Sequence, residues 1–219
     1  MRFLAVFFSF FFCTGTSFSQ PAEAQLWRCG MQRLEPKERV AACTAGLSAA
    51  SPEDPAPYHN RGVAYLSLKD YRNAILDFTA ALRRKKDAQT QMFRGIAFSE
   101  LGEYERALLD LEDALRAAPK DAEAHNSLAW TLATAGVPGF RDGKRAIALA
   151  RKACELTQWR DPGLLDTLAA AHAEAGDFAE AVHWQEKALA MGDFAKDHPD
   201  AQERLALYRK KRPWRHAAP

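Results

Sequence analysis

The sequence predicts an all-α solenoid of antiparallel helical hairpins, and three observations support this. The segment RGVAYLSLKDYRNAILDFTAAL at 61–82 returns as RGIAFSELGEYERALLDLEDAL at 94–115. Small residues recur at equivalent places in four successive stretches of the chain: Gly62, Gly95, Ala129 and Ala169, then Ala74, Ala107, Ala146 and Ala181, then Ala81, Ala114, Ala153 and Ala188. Turn signals containing Gly or Asp separate the helices. One hairpin cannot bury its apolar face alone, so the repeats are expected to stack into a continuous core.

Residues 1–24 are interpreted as a secretory signal peptide. Arg2 precedes a charge-free run from Phe3 to Cys13, which is too short to span a bilayer, since a spanning helix needs about 20 apolar residues. The small residues Ala22 and Ala24 favour cleavage after Ala24, with an exit at 17–19 and an uncleaved membrane anchor as alternatives. The interpretation predicts a periplasmic or secreted protein without a transmembrane helix in the mature chain.

Residues 25–54 are predicted to form an N-terminal segment with one capping helix in PKERVAACTAGLSAA. In an oxidising compartment Cys29 and Cys43 can close a short loop, which would stabilise the fold by about 3 kcal/mol. Cys154 is expected to be a buried small hydrophobic residue. The sequence has no Cys-x-x-Cys motif and no Cys/His cluster, so no metal site is predicted.

The repeated pattern resembles the tetratricopeptide repeat over residues 55–191, in four units: 55–87, 88–121, 122–161 and 162–191. The second unit matches best, with Gly95, Phe98, Gly102, Tyr104, Ala107, Ala114 and Pro119 in place. The third unit carries an insertion at 136–143, where Asp142 is a candidate N-cap. Turns between the units disfavour a heptad coiled coil. The motifs WRC, AACTAG and HNRGVAY are similar to those of exported proteobacterial repeat proteins.

The resemblance implies a concave groove lined by the first helix of each hairpin. The groove residues recur at helical spacing with an apolar middle row: His59, Val63, Leu66, Met92, Ile96, Ser99, Asn126, Trp130, Asp166 and Ala170. An apolar strip edged by polar groups suits a helical or extended peptide, with Trp130 as its expected anchor. The alternative is that these residues only pack against their neighbours or against the capping helix. His59 and Val63 replace the Lys and Asn of the carboxylate-clamping subclass, which disfavours that ligand.

Residues 192–219 are predicted to form a C-terminal capping helix and a basic tail. Ala201, Leu205 and Tyr208 share one face of the segment DAQERLALYRKKRPWR. The basic runs 83–86 and 209–212 complement helix dipoles at C-termini, and binding to anionic lipid or to an acidic partner is the alternative.

Composition limits the function. The 219 residues include 47% hydrophobic residues and carry a formal net charge of +2, which does not favour nucleic-acid binding. Phosphate-binding loops, nucleophile elbows and zinc-helix motifs are all missing from the sequence, so neither catalysis nor a cofactor is predicted. The expected function is a non-catalytic scaffold in the bacterial envelope that binds a protein or peptide partner. The alternative is a structural subunit of an envelope assembly that self-associates as a homo-oligomer.

Overall fold

The computed structural model describes residues 21–31 and 33–217, and every regular element in this part of the chain is helical. The α-helices are α1 (Ala22–Cys29), α2 (Pro36–Gly46), α3 (Ala56–Ser67), α4 (Tyr71–Arg84), α5 (Ala88–Glu100), α6 (Tyr104–Ala117), α7 (Ala122–Thr134), α8 (Gly143–Leu156), α9 (Pro162–Glu174), α10 (Phe178–Leu189), α11 (Phe194–Asp197) and α12 (Pro199–Arg209). A 3-10 turn at Pro138–Phe140 precedes α8. The predicted all-α solenoid is confirmed.

Four hairpins form the body of the solenoid: α3 with α4, α5 with α6, α7 with α8, and α9 with α10. The first helices of neighbouring hairpins also contact one another, since α5 touches α3 and α7, and α7 packs closely on α9. The second helices contact each other less. The first helices therefore line the inner, concave side, and the second helices form the outer side.

Aspartates set where most helices of the hairpins begin. Each capping carboxylate accepts a hydrogen bond from a backbone N–H of the first turn, which satisfies a donor that the helix itself leaves free. The capping residues are Asp70, Asp87, Asp121, Asp142, Asp161 and Asp177. The predicted N-cap at Asp142 is confirmed, and its carboxylate accepts from the backbone of Arg145 at 3.0 Å. Such caps contribute about 1 kcal/mol each.

The hairpins differ in what joins their two helices. In the first hairpin the guanidinium of Arg61 donates to Asp77 at 2.7 and 2.8 Å, and in the second Arg94 binds Asp110 at 2.7 and 2.9 Å. The equivalent positions in the third and fourth hairpins are apolar and belong to the hydrophobic core: Leu128 with Leu149, and Leu168 with Trp184. At these positions the link between the two helices is thus ionic in the first two hairpins and apolar in the last two.

The N-terminal end has two helices where the sequence predicted one. Residues 1–20, which hold most of the predicted signal peptide, lie outside the described residues. Ala22 to Ala24 form the first turn of α1, so the predicted cleavage after Ala24 would shorten this helix. A disulfide joins Cys29 of α1 to Cys43 of α2, and both residues are buried. Cys154 is a free, buried thiol, and burial raises its pKa to about 11.

The C-terminal end is closed by α12, whose residues Ala201, Leu205 and Tyr208 are buried as expected. After α12 the chain reverses at Lys211, which has a φ of 54° in the left-handed region. The backbone N–H of Arg212 then donates to the carbonyl of Leu207 at 3.0 Å. Residues 210–217, called here the C-terminal tail, run back without regular structure over the inner side of the solenoid.

Candidate protein-interaction groove

The ten predicted groove residues lie on the four first helices α3, α5, α7 and α9, but they are not equally accessible. Six are partly exposed: His59, Val63, Leu66, Ile96, Asn126 and Trp130. Four are buried: Met92, Ser99, Asp166 and Ala170. The inner side is therefore open at its N-terminal end and covered at its C-terminal end.

The open end is a cleft of ≈ 550 Å³ between the α1–α2 connection and helices α3 and α5. His59 and Val63, two of the predicted groove residues, line it. Sequence reasoning missed the rest of its wall: Arg33, Leu34, Glu35, Pro36, Arg39, Asn60, Ser67, Gln89 and Phe93. Most of these residues precede the repeats or lie beside the predicted stripe, so the repeat pattern gave no signal for them.

His59 is held in one orientation by a hydrogen-bonded chain that links the first two hairpins. The hydroxyl of Thr90 lies 2.7 Å from Asp87 Oδ2 and 2.7 Å from His59 Nδ1. A carboxylate only accepts, so the hydroxyl proton goes to Asp87, and Nδ1 of His59 must be the donor to Thr90. Burial lowers the pKa of His59, although Asp87 opposes this, which favours a neutral ring with Nε2 free as an acceptor.

The middle of the inner side contains a smaller depression of ≈ 160 Å³ between α5 and α7. Ile96, Asn126 and Trp130 form part of its wall, and Glu100 and Glu123 lie at its border. In its wall the hydroxyl of Thr131 donates to the carbonyl of Ser127 at 3.0 Å, so the Ser99 hydroxyl is the donor to Thr131 Oγ1 at 3.1 Å, which ties the two helices together.

The C-terminal half of the groove is occupied by the C-terminal tail. The indole of Trp214 packs on Trp130 with ring centroids 5.4 Å apart, and the His216 ring meets Trp130 edge-on at 6.4 Å. The backbone N–H of His216 donates to the carbonyl of Thr134 at 2.9 Å. A Cβ added to Gly136 would lie 2.8 Å from the carbonyl oxygen of Ala217, so this close backbone approach needs glycine. Trp130 is therefore partly covered by the chain's own tail.

A network of ion pairs on Glu174 accompanies this contact. Arg215 donates to Glu174 Oε2 through Nε at 3.0 Å and Nη2 at 2.9 Å, and Arg141 binds the other oxygen of Glu174 at 2.9 Å. The His216 ring lies 3.9 Å from Glu100. Burial lowers the pKa of His216, while Glu100 acts in the opposite direction. The tail is cationic, and the walls that receive it carry carboxylates.

Arg204 of α12 completes the covered end. Its guanidinium donates to Asp166 at 3.0 and 2.8 Å and to Asp200 at 2.6 Å, and Gln185 also donates to Asp166 at 2.5 Å. Burial raises the pKa of Asp166. Burial opposes the charge of Arg204, but the two carboxylates nevertheless raise its pKa. The predicted groove residue Asp166 thus holds the capping helix in place, and Arg204 had no signal in the repeat pattern.

The described part of the chain shows no further site type. Within it, no three His, Cys, Asp or Glu residues are grouped so that they could hold a metal ion. The helices described are also too short or too polar to span a membrane. What the inner side offers is an apolar surface with carboxylate, amide and imidazole groups, which suits recognition of a polypeptide segment.

Comparisons with known proteins agree with this architecture. The model of the tetratricopeptide repeat matches residues 56–87 and 88–121. A search among curated proteins finds no significant match.

Solved structures share the fold. MamA from Desulfovibrio magneticus has a TM-score of 0.61 at 22% identity, covering 78% of this chain and 94% of that one. A thermophilic tetratricopeptide repeat protein from Thermus thermophilus has a TM-score of 0.63 at 21% identity, covering 87% of this chain and 97% of that one. A chain of the APC/C hetero-tetramer Cut9–Hcn1 has a TM-score of 0.68 at 16% identity, covering 80% of this chain and 33% of that one. The protein thus contains tetratricopeptide repeats and has the fold of a tetratricopeptide repeat solenoid.

Proposed function

We propose that this protein is a non-catalytic scaffold that binds a segment of a partner protein along its inner side, in the bacterial envelope. The fold supports a role in protein interaction, and the Cut9–Hcn1 structure shows a chain of this fold within a hetero-tetramer. Export is supported by the charge-free run after Arg2 and by the Cys29–Cys43 disulfide, which persists best in an oxidising compartment.

The observation that carries the proposal is the open N-terminal cleft. Its ≈ 550 Å³ combine apolar side chains such as Val63 and Phe93 with the oriented ring of His59. A neutral His59 presents Nε2 as an acceptor, which can take a backbone N–H of an extended segment. Arg33 and Glu35 at the rim can fix the direction and register of that segment.

Site-specific photo-crosslinking in the native host tests the proposal. A photoreactive phenylalanine analogue at Val63 reports on the cleft, and the same analogue at Leu76 is the matched control. Leu76 belongs to the same hairpin but is 67% exposed on its second helix, on the outer side. We expect one partner protein to crosslink from Val63 and not from Leu76. Val63→Asp should weaken binding of that purified partner at least tenfold, about 1.4 kcal/mol, while Leu76→Asp leaves it unchanged.

The other outcomes are informative. Crosslinks from Val63 to a second copy of this chain would favour the alternative, a self-associating subunit. Equal labelling from Val63 and Leu76 would refute a groove-based function. Mass spectrometry of the protein from envelope fractions tests export, and a chain that retains Met1 in the cytosol would contradict it.

A further inference from the structure

We infer that the C-terminal tail is an intramolecular ligand of the groove, and that it marks the chemistry of the partner segment: an extended strand with a large aromatic residue followed by a cationic one. The inference rests on the proposed function, because it specifies what the C-terminal half of the same groove takes. A partner of this chemistry must displace the tail.

The tail contacts the groove through its backbone as well as its side chains. It has no helix of its own, and the His216 N–H pairs with the carbonyl of Thr134 at the end of α7. Gly136, just beyond α7, leaves room for the tail carbonyls at 2.8 and 2.9 Å from the position of a Cβ. Backbone pairing of this kind recognises an extended chain with little regard to its sequence.

The aromatic position is specific. The Trp214 ring rests against Trp130, and the guanidinium of Arg204 lies 5.8 Å from the Trp214 centroid and 5.4 Å from the Trp130 centroid. Arg204 is itself fixed by Asp166 and is almost fully buried. A fixed cation beside two rings favours a flat, electron-rich side chain over an aliphatic one.

The groove selects the residue after the aromatic one by its charge. Arg215 forms two hydrogen bonds with one oxygen of Glu174, and the other oxygen of Glu174 is held by Arg141. The next residue, His216, faces Glu100. These carboxylates disfavour an acidic partner segment and favour arginine or lysine directly after the aromatic residue.

Several features make the tail displaceable. Lys210, Lys211, Arg212 and Arg215 are exposed, and Trp214 is only partly buried. The reversal that leads into the groove uses a non-glycine residue at positive φ, Lys211, which is a strained conformation. The tail is therefore held by a few contacts, unlike the helices, which are anchored in the core.

The test uses the full-length oxidised protein and a fluorescent synthetic peptide with the sequence of residues 210–217. The double variant Trp214→Ala, Arg215→Ala keeps the whole chain but weakens its own tail. We expect the peptide to bind this variant at least tenfold more tightly than wild type. If the wild-type tail occupies the groove about nine-tenths of the time, only about one-tenth of the protein can bind the peptide, which weakens the apparent affinity about tenfold. Adding Gly136→Ala to the double variant should abolish binding, and a peptide carrying Trp214→Ala should not bind.

Controls separate docking from stability. Arg209→Ala is the matched control, because Arg209 is a neighbouring cation that pairs with Glu186 outside the groove; it should leave peptide affinity as in wild type. Hydrogen exchange of the His216 amide should be fast in the double variant and protected in wild type. Thermal unfolding verifies that each variant remains folded.

Three results would overturn the inference. One is equal peptide affinity for wild type and the double variant, with both proteins folded. Another is a dimer of the wild type, seen by light scattering, that is absent in the double variant, because the tail would then occupy a second copy. A partner crosslinked from Val63 without any competition by the peptide would refute this inference and leave the proposed function standing.

Discussion

Replacing Arg204 by methionine should destabilise the C-terminal end of the solenoid, and the loss should depend on pH. The side chains of Arg204 and Asp166 are 4% and 8% exposed, and two hydrogen bonds join them. Methionine fills a similar volume without charge. The change therefore leaves the Asp166 carboxylate buried with Gln185 as its remaining donor.

The structure sets the size of this effect. Removing one partner of a buried ion pair costs about 3–5 kcal/mol. Asp166 can avoid this penalty by taking up a proton. For a carboxyl with an unfolded pKa of about 3.9, protonation costs about 4 kcal/mol at pH 7 but only about 1.5 kcal/mol at pH 5. Burial already raises the pKa of Asp166, which favours this protonation. A raised pKa in the folded state means stability that is present at low pH and lost as the pH rises.

Urea unfolding at pH 7 and pH 5, followed by circular dichroism, measures the difference between Arg204→Met and wild type. The control is Arg209→Met, whose partner Glu186 is exposed, so that loss should stay below about 1 kcal/mol at both pH values. Adding Asp166→Asn to Arg204→Met should recover part of the loss at pH 7. If Arg204→Met is no more destabilised than Arg209→Met, or if its loss does not shrink at pH 5, the buried ion pair does not anchor α12.

Three further outcomes are expected. Reduction of the Cys29–Cys43 disulfide should lower the free energy of unfolding by about 3 kcal/mol in calorimetry, and a Cys29→Ala, Cys43→Ala variant that responds equally to reductant would contradict this. Burial lowers the pKa of His172, so the stability that its neutral form provides above about pH 6.5 should be lost as the pH falls. His172→Leu should therefore reduce the change in the free energy of unfolding between pH 7 and pH 5. An unchanged pH dependence would show that His172 is not its source. Lys211→Gly should relieve backbone strain and gain about 1 kcal/mol, with slower exchange of the His216 amide; faster exchange would show that the reversal is not strained.

The fold could be predicted because its determinants are local and repeated. A Cβ on Gly62 would lie 2.6 Å from the Phe78 ring of the same hairpin. The large ring therefore requires a small residue 16 positions before it in the sequence. The same spacing returns in the next hairpin, where Gly95 meets Leu111. The periodic small and large residues thus indicate which side chains touch within a hairpin, and these contacts define the solenoid.

The covered half of the groove could not be predicted in this way. The contact between Trp130 and Trp214 joins residues 84 positions apart and occurs once, so no periodicity signals it. The basic residues of the tail were attributed to the dipole of the capping helix. This local explanation accounts for their charge, but not for the path of the chain back over the inner side. The helix α1 was missed because its first turn, Ala22 to Ala24, was assigned to the signal peptide, which left only residues 25–29 of it in the predicted N-terminal segment.

The tail also changes how the solenoid is connected. In a simple repeat array each unit touches only its neighbours, so the last unit can fray without disturbing those before it. Here the tail leaves α12, passes the third and fourth hairpins and reaches Glu100 in the second. The contacts of the C-terminal half therefore form a closed ring, from α12 through the tail back to the second hairpin. The last helices cannot unfold from the end of the solenoid unless the tail is released first. Binding of a partner at that half would cut the ring, so recognition and the resistance of the array to end-fraying are coupled in one segment.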